Sequence, residues 1–409
     1  MTTVKPTKPS WSNVGRSLKN KNIRRYLAGQ GLSNTGLWMQ QVAELWLIFE
    51  LTGSGSALGL HSVLRYGPML LFGAQAGLLT DRMERLKLLK VTQLINAVAA
   101  GALAISSWFF IPSLALIYII VFVQGCVNSV DNPLRKGFVR DMANDDELAS
   151  AVSINSTMGS VTRMLGPAVG GLIVATMGVK WCFVVNATSY GAVLAALYTI
   201  DRSKLRPPSL APSGRGQIRA GLAYAWKIKE IATILAVVAV VGTLAWNYNV
   251  LMPIYSTETL GGNATLYGVL LSVVGAGAFV GAIMTARAFR IENRRLIAST
   301  AVLALALGLA AAAPSLPSAV VALFLLGAAA TAVTVGAQAR LQLRVADQFS
   351  GRVMALFAVC FVGSKPLGGI LAGWFLDISG PRLAFAVGSG AIGAVSLWLI
   401  LYRGWATDV

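Results

Sequence analysis

The chain has 409 residues, of which 56% are hydrophobic and only 12% are charged, and its mean hydropathy is +0.67. Soluble domains carry roughly 25% charged residues, so this composition excludes an ordinary soluble protein. The formal net charge of +18 would suggest a nucleic-acid partner in a soluble protein.

The apolar residues occur in runs of about 20, the length with which a helix crosses a ~30 Å hydrocarbon core. Twelve such runs are predicted membrane spans, numbered in chain order: 27–49, 57–80, 89–111, 114–134, 149–176, 182–200, 231–254, 265–286, 296–313, 317–338, 352–376 and 383–402. The predicted fold class is therefore an all-α membrane protein with twelve transmembrane helices.

Polar segments divide the chain into five predicted regions. They are a basic tail at 1–25, a six-helix bundle at 26–200, a linker at 201–230, a second six-helix bundle at 231–402 and a short tail at 403–409. The linker is rich in Pro, Ser and basic residues, and from Gln217 onward it is typical of an amphipathic helix on a membrane surface. Two halves of six spans indicate an internal duplication and a pseudo-symmetric pair of bundles.

Lysine and arginine concentrate on one side of the predicted membrane. With the N-terminus placed in the cytoplasm, the outer loops hold only Lys180 and Arg382. The positive-inside rule then predicts that both termini are cytoplasmic. The same bias accounts for the net charge without any nucleic-acid partner.

The sequence lacks the signals of several other classes of protein. The N-terminal tail has no short apolar core with a small-residue cleavage site, so no signal peptide is predicted. Cys126, Cys182 and Cys360 stand at unrelated spacings and indicate neither a disulfide framework nor a metal site. Because no nucleophile–base pair or phosphate loop is evident, we predict that the protein is not an enzyme and uses no cofactor.

Four charged residues lie deep in the predicted spans, where such residues are rare, costly and usually functional. They are Glu44 in span 1, Arg65 in span 2, Arg163 in span 5 and Lys365 in span 11. Lys365 stands in "FVGSKPLGGI" with no acid on its own helix, so we predict that it faces a central cavity; a role as a structural partner is the alternative. For Arg163, ligand binding and a structural role remain equally open.

Polar and aromatic residues of spans 1 and 7 are predicted to line the same cavity. They are Asn34, Trp38, Gln41, Trp246, Asn247 and Asn249. Aromatic and amide groups suit an amphipathic ligand. Three deep cations against one deep acid indicate a substrate with carboxylate, catecholate or other anionic character.

Glu44, His61 and Arg65 are the candidates for proton coupling. At 1.5 Å per residue, Glu44 and Arg65 fall at a similar depth, so they are predicted to lie close enough to pair. A static ion pair and a proton site switched by a moving arginine both remain open. His61 lies one helical turn from Arg65 and titrates near neutrality when unperturbed, although a lone histidine near the outer surface can be incidental.

Several motifs resemble those of a known family. "GLLTDRMERLK" (77–87) resembles the loop signature of the major facilitator superfamily, with Glu84 at the usual second glycine and Leu86 at a usual basic position. "GPAVGG" (166–171) resembles the core of that superfamily's antiporter signature, with Thr162 in place of a further glycine. "DNPLRKGFVRDM" (131–142) and "GRVMAL" (351–356) resemble one branch, the transmembrane secretion effectors that include the enterobactin exporter. The resemblance spans nearly the whole chain and implies the major facilitator fold and a bacterial inner membrane.

The resemblance also implies an inner gate. In the family an aspartate, matched here by Asp81, caps a helix start in the other half, and an arginine, matched by Arg85, reaches a carboxylate in span 4. Asp131 is the predicted partner acid, and Arg82 belongs to the same signature. A carboxylate at a helix N-terminus gains roughly 0.3–1 kcal/mol from the helix dipole. An ordinary charged loop is the alternative.

Small residues and prolines are predicted to shape spans 5 and 11. Gly166, Pro167, Gly170 and Gly171 allow span 5 to approach a neighbouring helix closely. The resemblance adds a bias toward export, and the sequence does not separate that role from packing. In span 11, Pro366 is predicted to let the helix bend beside Lys365.

Together these features predict a proton-coupled secondary transporter that exports a small organic, anionic or amphipathic molecule by alternating access, with a siderophore-type substrate favoured. A multidrug or lysophospholipid transporter is the alternative within transport, and a membrane sensor or scaffold is the alternative outside it. The predicted partners are a small-molecule substrate, a proton and the lipid bilayer, and the predicted oligomeric state is a monomer.

Overall fold

The computed structural model is described over residues 16–206, 224–287, 293–345 and 347–402, with the side chains of 74, 77–82, 347 and 348 excepted. Most of the N-terminal tail, the linker segment 207–223 with Gln217, and the C-terminal tail lie outside these ranges. Within them, all regular structure is helical. We call the membrane side on which the first long helix begins the inner side, and the opposite side the outer side.

The first half of the chain forms six long helices. They are α1 Lys21–Thr52, α2 Gly55–Arg82, α3 Arg85–Phe109, α4 Leu114–Met142, α5 Asp145–Met177 and α6 Val179–Tyr198. Short 3-10 helices at Arg16–Lys19 and Arg202–Lys204 flank them.

The second half forms seven helices. They are α7 Lys229–Leu244, α8 Tyr248–Ile254, α9 Ala264–Ala286, α10 Asn293–Ala312, α11 Leu316–Arg344, α12 Asp347–Val362 and α13 Lys365–Leu401. A π-helical turn at Tyr255–Thr259 extends α8.

These helices make the twelve predicted crossings. Helices α7 and α8 form one crossing, and α12 with the first part of α13 forms another. Helix α13 reverses at Gly380, whose φ of 74° lies in the left-handed region that favours glycine, and its second part is the last crossing. Nine helical stretches of the described chain are long and apolar enough to span a membrane by themselves, and the last of these holds two crossings. Helices α1 and α2, which carry Glu44 and Arg65, complete the twelve.

The crossings are arranged as two bundles, as predicted. In the N-terminal half, α1 packs on α5 and α6, α2 packs on α4, and α3 packs between α4 and α6. In the C-terminal half, α11 packs on α9 and α10, and α13 packs on α10 and α7. The halves meet along two helix pairs, α2 with α13 and α5 with α9. Any site between the halves is therefore bounded by these two seams.

Candidate functional site

Two helix breaks of the C-terminal half lie against each other in the centre of the molecule. Helix α7 ends at Leu244 and α8 begins at Tyr248, while α12 ends at Val362 and α13 begins at Lys365. Close approach requires glycine on both sides, because a Cβ at Gly242 or at Gly368 would overlap the partner segment. The two breaks therefore support each other and place irregular backbone where it is shielded from lipid.

Lys365 is the first residue of α13, so the bend predicted at Pro366 is a complete break between two helices. Proline fits this position because the N–H that it lacks has no partner in a helix's first turn. The break presents the ammonium group at the start of a helix, within the eleventh predicted span.

Lys365 and Arg163 approach one tryptophan from opposite halves of the protein. The Lys365 ammonium lies 5.5 Å from the centre of the Trp246 ring and 4.7 Å from that of Tyr66. The Arg163 guanidinium lies 5.9 Å from the Trp246 ring and 5.6 Å from that of Trp38. Such distances allow cation–π attraction. Trp246 is held in place by its indole N–H, which donates to the Thr334 hydroxyl at 3.2 Å.

Neither cation has an ion-pair partner within the described part of the chain. The ion pairs found there join other residues, and the buried Nε atom of Arg163 has no hydrogen-bond acceptor. A buried donor without an acceptor is costly and needs an explanation. An anion bound between Arg163 and Lys365 would supply the missing negative charge.

A second polar cluster surrounds Glu44, which is fully buried. One carboxylate oxygen lies 3.0 Å from Nε2 of His61 and 3.5 Å from a guanidinium nitrogen of Arg65. The other oxygen accepts from the Gln40 side chain at 2.6 Å. The predicted approach of Glu44 and Arg65 is therefore present in the structure, and His61 is a direct contact of the same carboxylate.

A short path joins this cluster to the cavity cations. Tyr66 follows Arg65 directly in α2, makes a hydrogen bond with Gln41 of α1, and lies beneath the Lys365 ammonium. Arg65 is itself within electrostatic range of Lys365. The Glu44 cluster and the Lys365 site thus have Arg65 and Tyr66 as common neighbours.

The three asparagines predicted to line the cavity have different surroundings in the structure. The Asn34 side-chain oxygen accepts from Gln30 and from Arg135, on the inner side of the N-terminal bundle. Asn247 is buried, and its amide donates to the carbonyl of Thr243 at 2.9 Å, where it caps the end of α7. These two amides are thus occupied within the fold, while Asn249 is partly exposed at the break.

The gate partner predicted for Arg85 is wrong. Arg85 donates to Asp141 at 2.7 Å, at the inner end of α4. Asp131 instead pairs with Arg135, one turn further along α4, and accepts from Thr92 and Gln93 of α3 at 2.7 Å each. Both acids face α3, but they are ten residues apart, or about 15 Å along the helix axis, so only Asp141 lies level with Arg85 at the inner end of α3. The side chains of Asp81 and Arg82 lie outside the described residues.

The sequence profile of the transmembrane secretion effector family matches residues 17–404 of the chain. The chain belongs to this family. The resemblance to the major facilitator superfamily and to its secretion effector branch is thereby confirmed.

Relatives in this family carry transporter names. The chain is 27% identical to the uncharacterized MFS-type transporter YfiS of Bacillus subtilis, over 90% of this chain and 89% of the relative. It is 23% identical to macrolide efflux protein A of Streptococcus pyogenes, over 86% and 88%. It is 22% identical to the staphyloferrin A transporter of Staphylococcus aureus, over 60% and 62%.

Among solved structures, the nucleoside transporter NupG superposes with a TM-score of 0.74 at 12% identity, covering 93% of this chain and 99% of that one. The major facilitator fold with twelve helices is thus confirmed. The protein is a multi-pass membrane transporter and not an enzyme, as expected from the sequence.

The glycines of the antiporter signature in this secretion effector contact two helices, α1 in the same half and α9 in the other half. A Cβ at Gly166 would lie 2.6 Å from Cβ of Trp38 in α1, and one at Gly170 would lie 3.0 Å from Cα of Met39. A Cβ at Gly171 would lie 2.6 Å from Cα of Gly268 in α9, in the other half. The stripe therefore packs α5 both within its own bundle and across a seam, as small residues do in membranes.

Residues that the sequence reasoning did not single out also contribute. Tyr66 was missed because a tyrosine in a span gives no signal by itself, and Asp141 because it falls in a charged inner segment. Arg135 had a readable signal, since it stands four residues after Asp131 on the same helix face.

The corrected gate pair gives a stability prediction. Arg85→Ala leaves the Asp141 carboxylate largely buried without its cation, since the two side chains are 15% and 12% exposed. We expect a loss of about 2 kcal/mol in the free energy of unfolding, because a buried charge without a partner costs more than the pair gains. Denaturant unfolding of the purified protein in detergent measures this loss.

Lys87→Ala is the matched control for Arg85→Ala. Lys87 pairs with Glu84 in the same loop at 2.7 Å, but the side chains are 64% and 43% exposed. The hydrogen bond from Lys87 lowers the pKa of Glu84, yet exposed pairs are worth about 0.5 kcal/mol or less. Equal losses in Arg85→Ala and Lys87→Ala would contradict a structural role for the Arg85–Asp141 pair.

Proposed function

We propose that this secretion effector exports a small anionic or amphipathic organic molecule, with a siderophore-type compound favoured, in exchange for protons. In this proposal it works by alternating access as a monomer in a bacterial inner membrane, with both termini in the cytoplasm. The observation that carries the proposal is the pair of cations, Arg163 and Lys365, on either side of Trp246.

The two cations favour a substrate with more than one negative group. Because both lie within the ~6 Å cation–π range of one ring, they are no more than roughly 12 Å apart. A molecule that carries carboxylates or catecholates at its two ends can bridge that distance. Arg163 belongs to the N-terminal half and Lys365 to the C-terminal half, so such a molecule would also link the halves. The start of α13 adds a favourable dipole for an anion next to Lys365.

The Glu44 cluster supports coupling to protons. When Glu44 is ionised, its charge is shared by Arg65 and His61. Protonation of Glu44 removes that charge and leaves Arg65 without its counter-ion, next to Tyr66 and the substrate cations. Proton and substrate would therefore act on one set of charges, which is the physical requirement for coupling. His61 can hold the proton as well, since it contacts the same carboxylate oxygen.

Multidrug or lysophospholipid transport is the second candidate. It is supported by the aromatic lining, in which Tyr66, Trp246 and Phe361 surround the lysine, and by the macrolide efflux relative. A transporter of this type would accept bulky amphipathic molecules without a strict need for anionic groups. A sensor or scaffold without transport has no observation in its favour, because the relatives named above are transporters.

Flux in liposomes tests the proposal. Purified protein is reconstituted, a pH gradient is imposed, and accumulation of radiolabelled citrate is compared with that of its neutral triester and of a macrolide. Gradient-driven accumulation of citrate that is lost in the Arg163→Gln/Lys365→Met double variant supports anionic export. Preferential transport of the macrolide would favour the second candidate, and no flux above empty liposomes would reject transport of these classes.

A further inference from the structure

The first turn of α2 receives its cap from the opposite half of the protein. Asp377 of α13 accepts hydrogen bonds from the main-chain N–H groups of Gly55 at 2.6 Å and Ser56 at 2.9 Å. The same carboxylate accepts from the Ser56 hydroxyl and, at 3.5 Å, from the Ser54 hydroxyl. The first N–H groups of a helix have no acceptor within the helix itself. Asp377 therefore satisfies two of them across the seam between the halves.

The other two groups of this turn are satisfied inside the N-terminal half. The N–H of Ala57 donates to the Ser54 hydroxyl, and the N–H of Leu58 donates to the Ser54 carbonyl, each at 3.3 Å. The cap of α2 is thus complete only while α13 is in place. When the seam opens, the N–H groups of Gly55 and Ser56 lose their acceptor and the Asp377 carboxylate loses its donors.

The cap lies at the outer end of a seam that is rich in glycine. Gly55 and Gly59 are four residues apart on α2, and Gly369 and Gly373 are four residues apart on α13. A Cβ at Gly373 would lie 2.6 Å from the Gly55 carbonyl oxygen, and one at Gly59 would overlap the Gly369 carbonyl. Paired small residues of this kind let two membrane helices touch backbone to backbone. The seam lies on the outer side of Lys365, toward the end of α13 that carries Asp377.

We propose that Asp377 is the latch of the outer gate, which holds the α2–α13 seam shut and must be released in each transport cycle. The carboxylate combines charge-assisted hydrogen bonds with the positive end of the α2 dipole, so the closed seam gains energy that the open seam lacks. The inference rests on alternating access as proposed above. Its test uses no substrate, so its failure is distinguishable from a failure of the transport assay.

Reactivity of a cysteine placed just beneath the seam reports its opening. Ser62 is 5% exposed and packs against Gly369, one turn deeper than Gly59, so Ser62→Cys is shielded while the seam is closed. The full-length chain with Cys126, Cys182 and Cys360 replaced by alanine is reconstituted, and a membrane-impermeant maleimide is added from the outer side. We expect Asp377→Ala to raise the labelling rate about fivefold, in line with the loss of a helix cap, and Asp377→Asn to raise it by less, because the amide keeps one acceptor oxygen but not the charge.

Three controls make the result specific. Glu258→Gln removes another exposed acid of the outer side, away from the seam, and should leave labelling unchanged. Gly59→Ala forces the seam apart sterically and should raise labelling without touching Asp377. Cys182, which is fully buried in the N-terminal half, is retained in a parallel background, where its reaction reports general loosening of the fold.

The latch is overturned by either of two results. One is a labelling rate of the Ser62→Cys thiol that is the same in Asp377→Asn as in Glu258→Gln, while Gly59→Ala raises that rate. The other is an equal rise at Cys182 and at Ser62→Cys in the Asp377 variants, which would assign Asp377 a general structural role.

Discussion

Lys365→Met is expected to lower the affinity for an anionic substrate by about 10- to 100-fold and to leave neutral molecules unaffected. A desolvated charge-assisted contact is worth about 1.5–3 kcal/mol, which converts to a change of that size. The methionine keeps the length and most of the apolar contact with Tyr66, Trp246 and Phe361. The fold should be retained, because within the described chain no ion pair to Lys365 is lost.

Binding measurements on the purified protein check this expectation, with citrate as the anionic probe and its neutral triester as the matched ligand. Lys180→Met is the control variant, since Lys180 also lies over an aromatic ring, that of Trp108 at 4.5 Å, but in the first turn of α6 at the outer side. Arg163→Gln should weaken citrate binding to a similar extent. Unchanged citrate affinity in Lys365→Met would show that the lysine serves the fold and would remove the main support for an anionic substrate.

Glu44→Gln is expected to abolish transport driven by a pH gradient while substrate exchange without a gradient persists. The amide keeps the shape of the side chain and its contact with Gln40, but it carries neither the charge nor the proton. Arg65 and His61 then face a neutral group in both states of the cycle. A proton gradient therefore no longer changes the charge next to the substrate site. Counterflow and gradient-driven accumulation in proteoliposomes measure the two activities separately.

Glu50→Gln is the matched control for Glu44→Gln. Glu50 lies on the same helix, accepts from the Trp46 indole at 2.6 Å and is exposed at the outer end. Combining Glu44→Gln with Arg65→Ala shows whether the two residues act as one unit, because coupled residues give non-additive losses. Full gradient-driven accumulation in Glu44→Gln would place proton coupling at another site.

The features that follow from local rules were predictable from the sequence. Span number follows from apolar length, and the approach of Glu44 to Arg65 follows from the constant rise per residue in two helices joined by a short turn. Gly53, with a φ of 59°, provides that turn. The contact with His61 needed no further information, because His61 stands one turn above Arg65.

Features that depend on helix alignment or on contacts between the halves were not predictable. Arg85 pairs with Asp141 and not with Asp131 because of how far along their axes α3 and α4 are aligned, which the sequence does not give. The break before Lys365 lies inside continuous apolar sequence, and only the Ser-Lys-Pro tripeptide at 364–366 indicates it, through the bend predicted at Pro366. Asp377 caps a helix more than 300 residues away in the chain, and no local pattern around it indicates this.

The backbone-to-backbone seam between α2 and α13 also bears on how well the membrane holds its proton gradient. A water molecule needs a cavity of at least about 10–15 Å³, and the direct contacts of Gly59 with Gly369 and of Gly55 with Gly373 leave little space for one. With Asp377 in place, the N–H groups at the outer rim are already occupied, so they cannot anchor a hydrogen-bonded water chain toward Glu44. A single methyl group at Gly59 would separate the helices and admit such a chain. The glycines of the seam would then limit ion leakage through the protein. They would also limit the energy that the host spends to maintain its proton gradient while this protein is in the membrane.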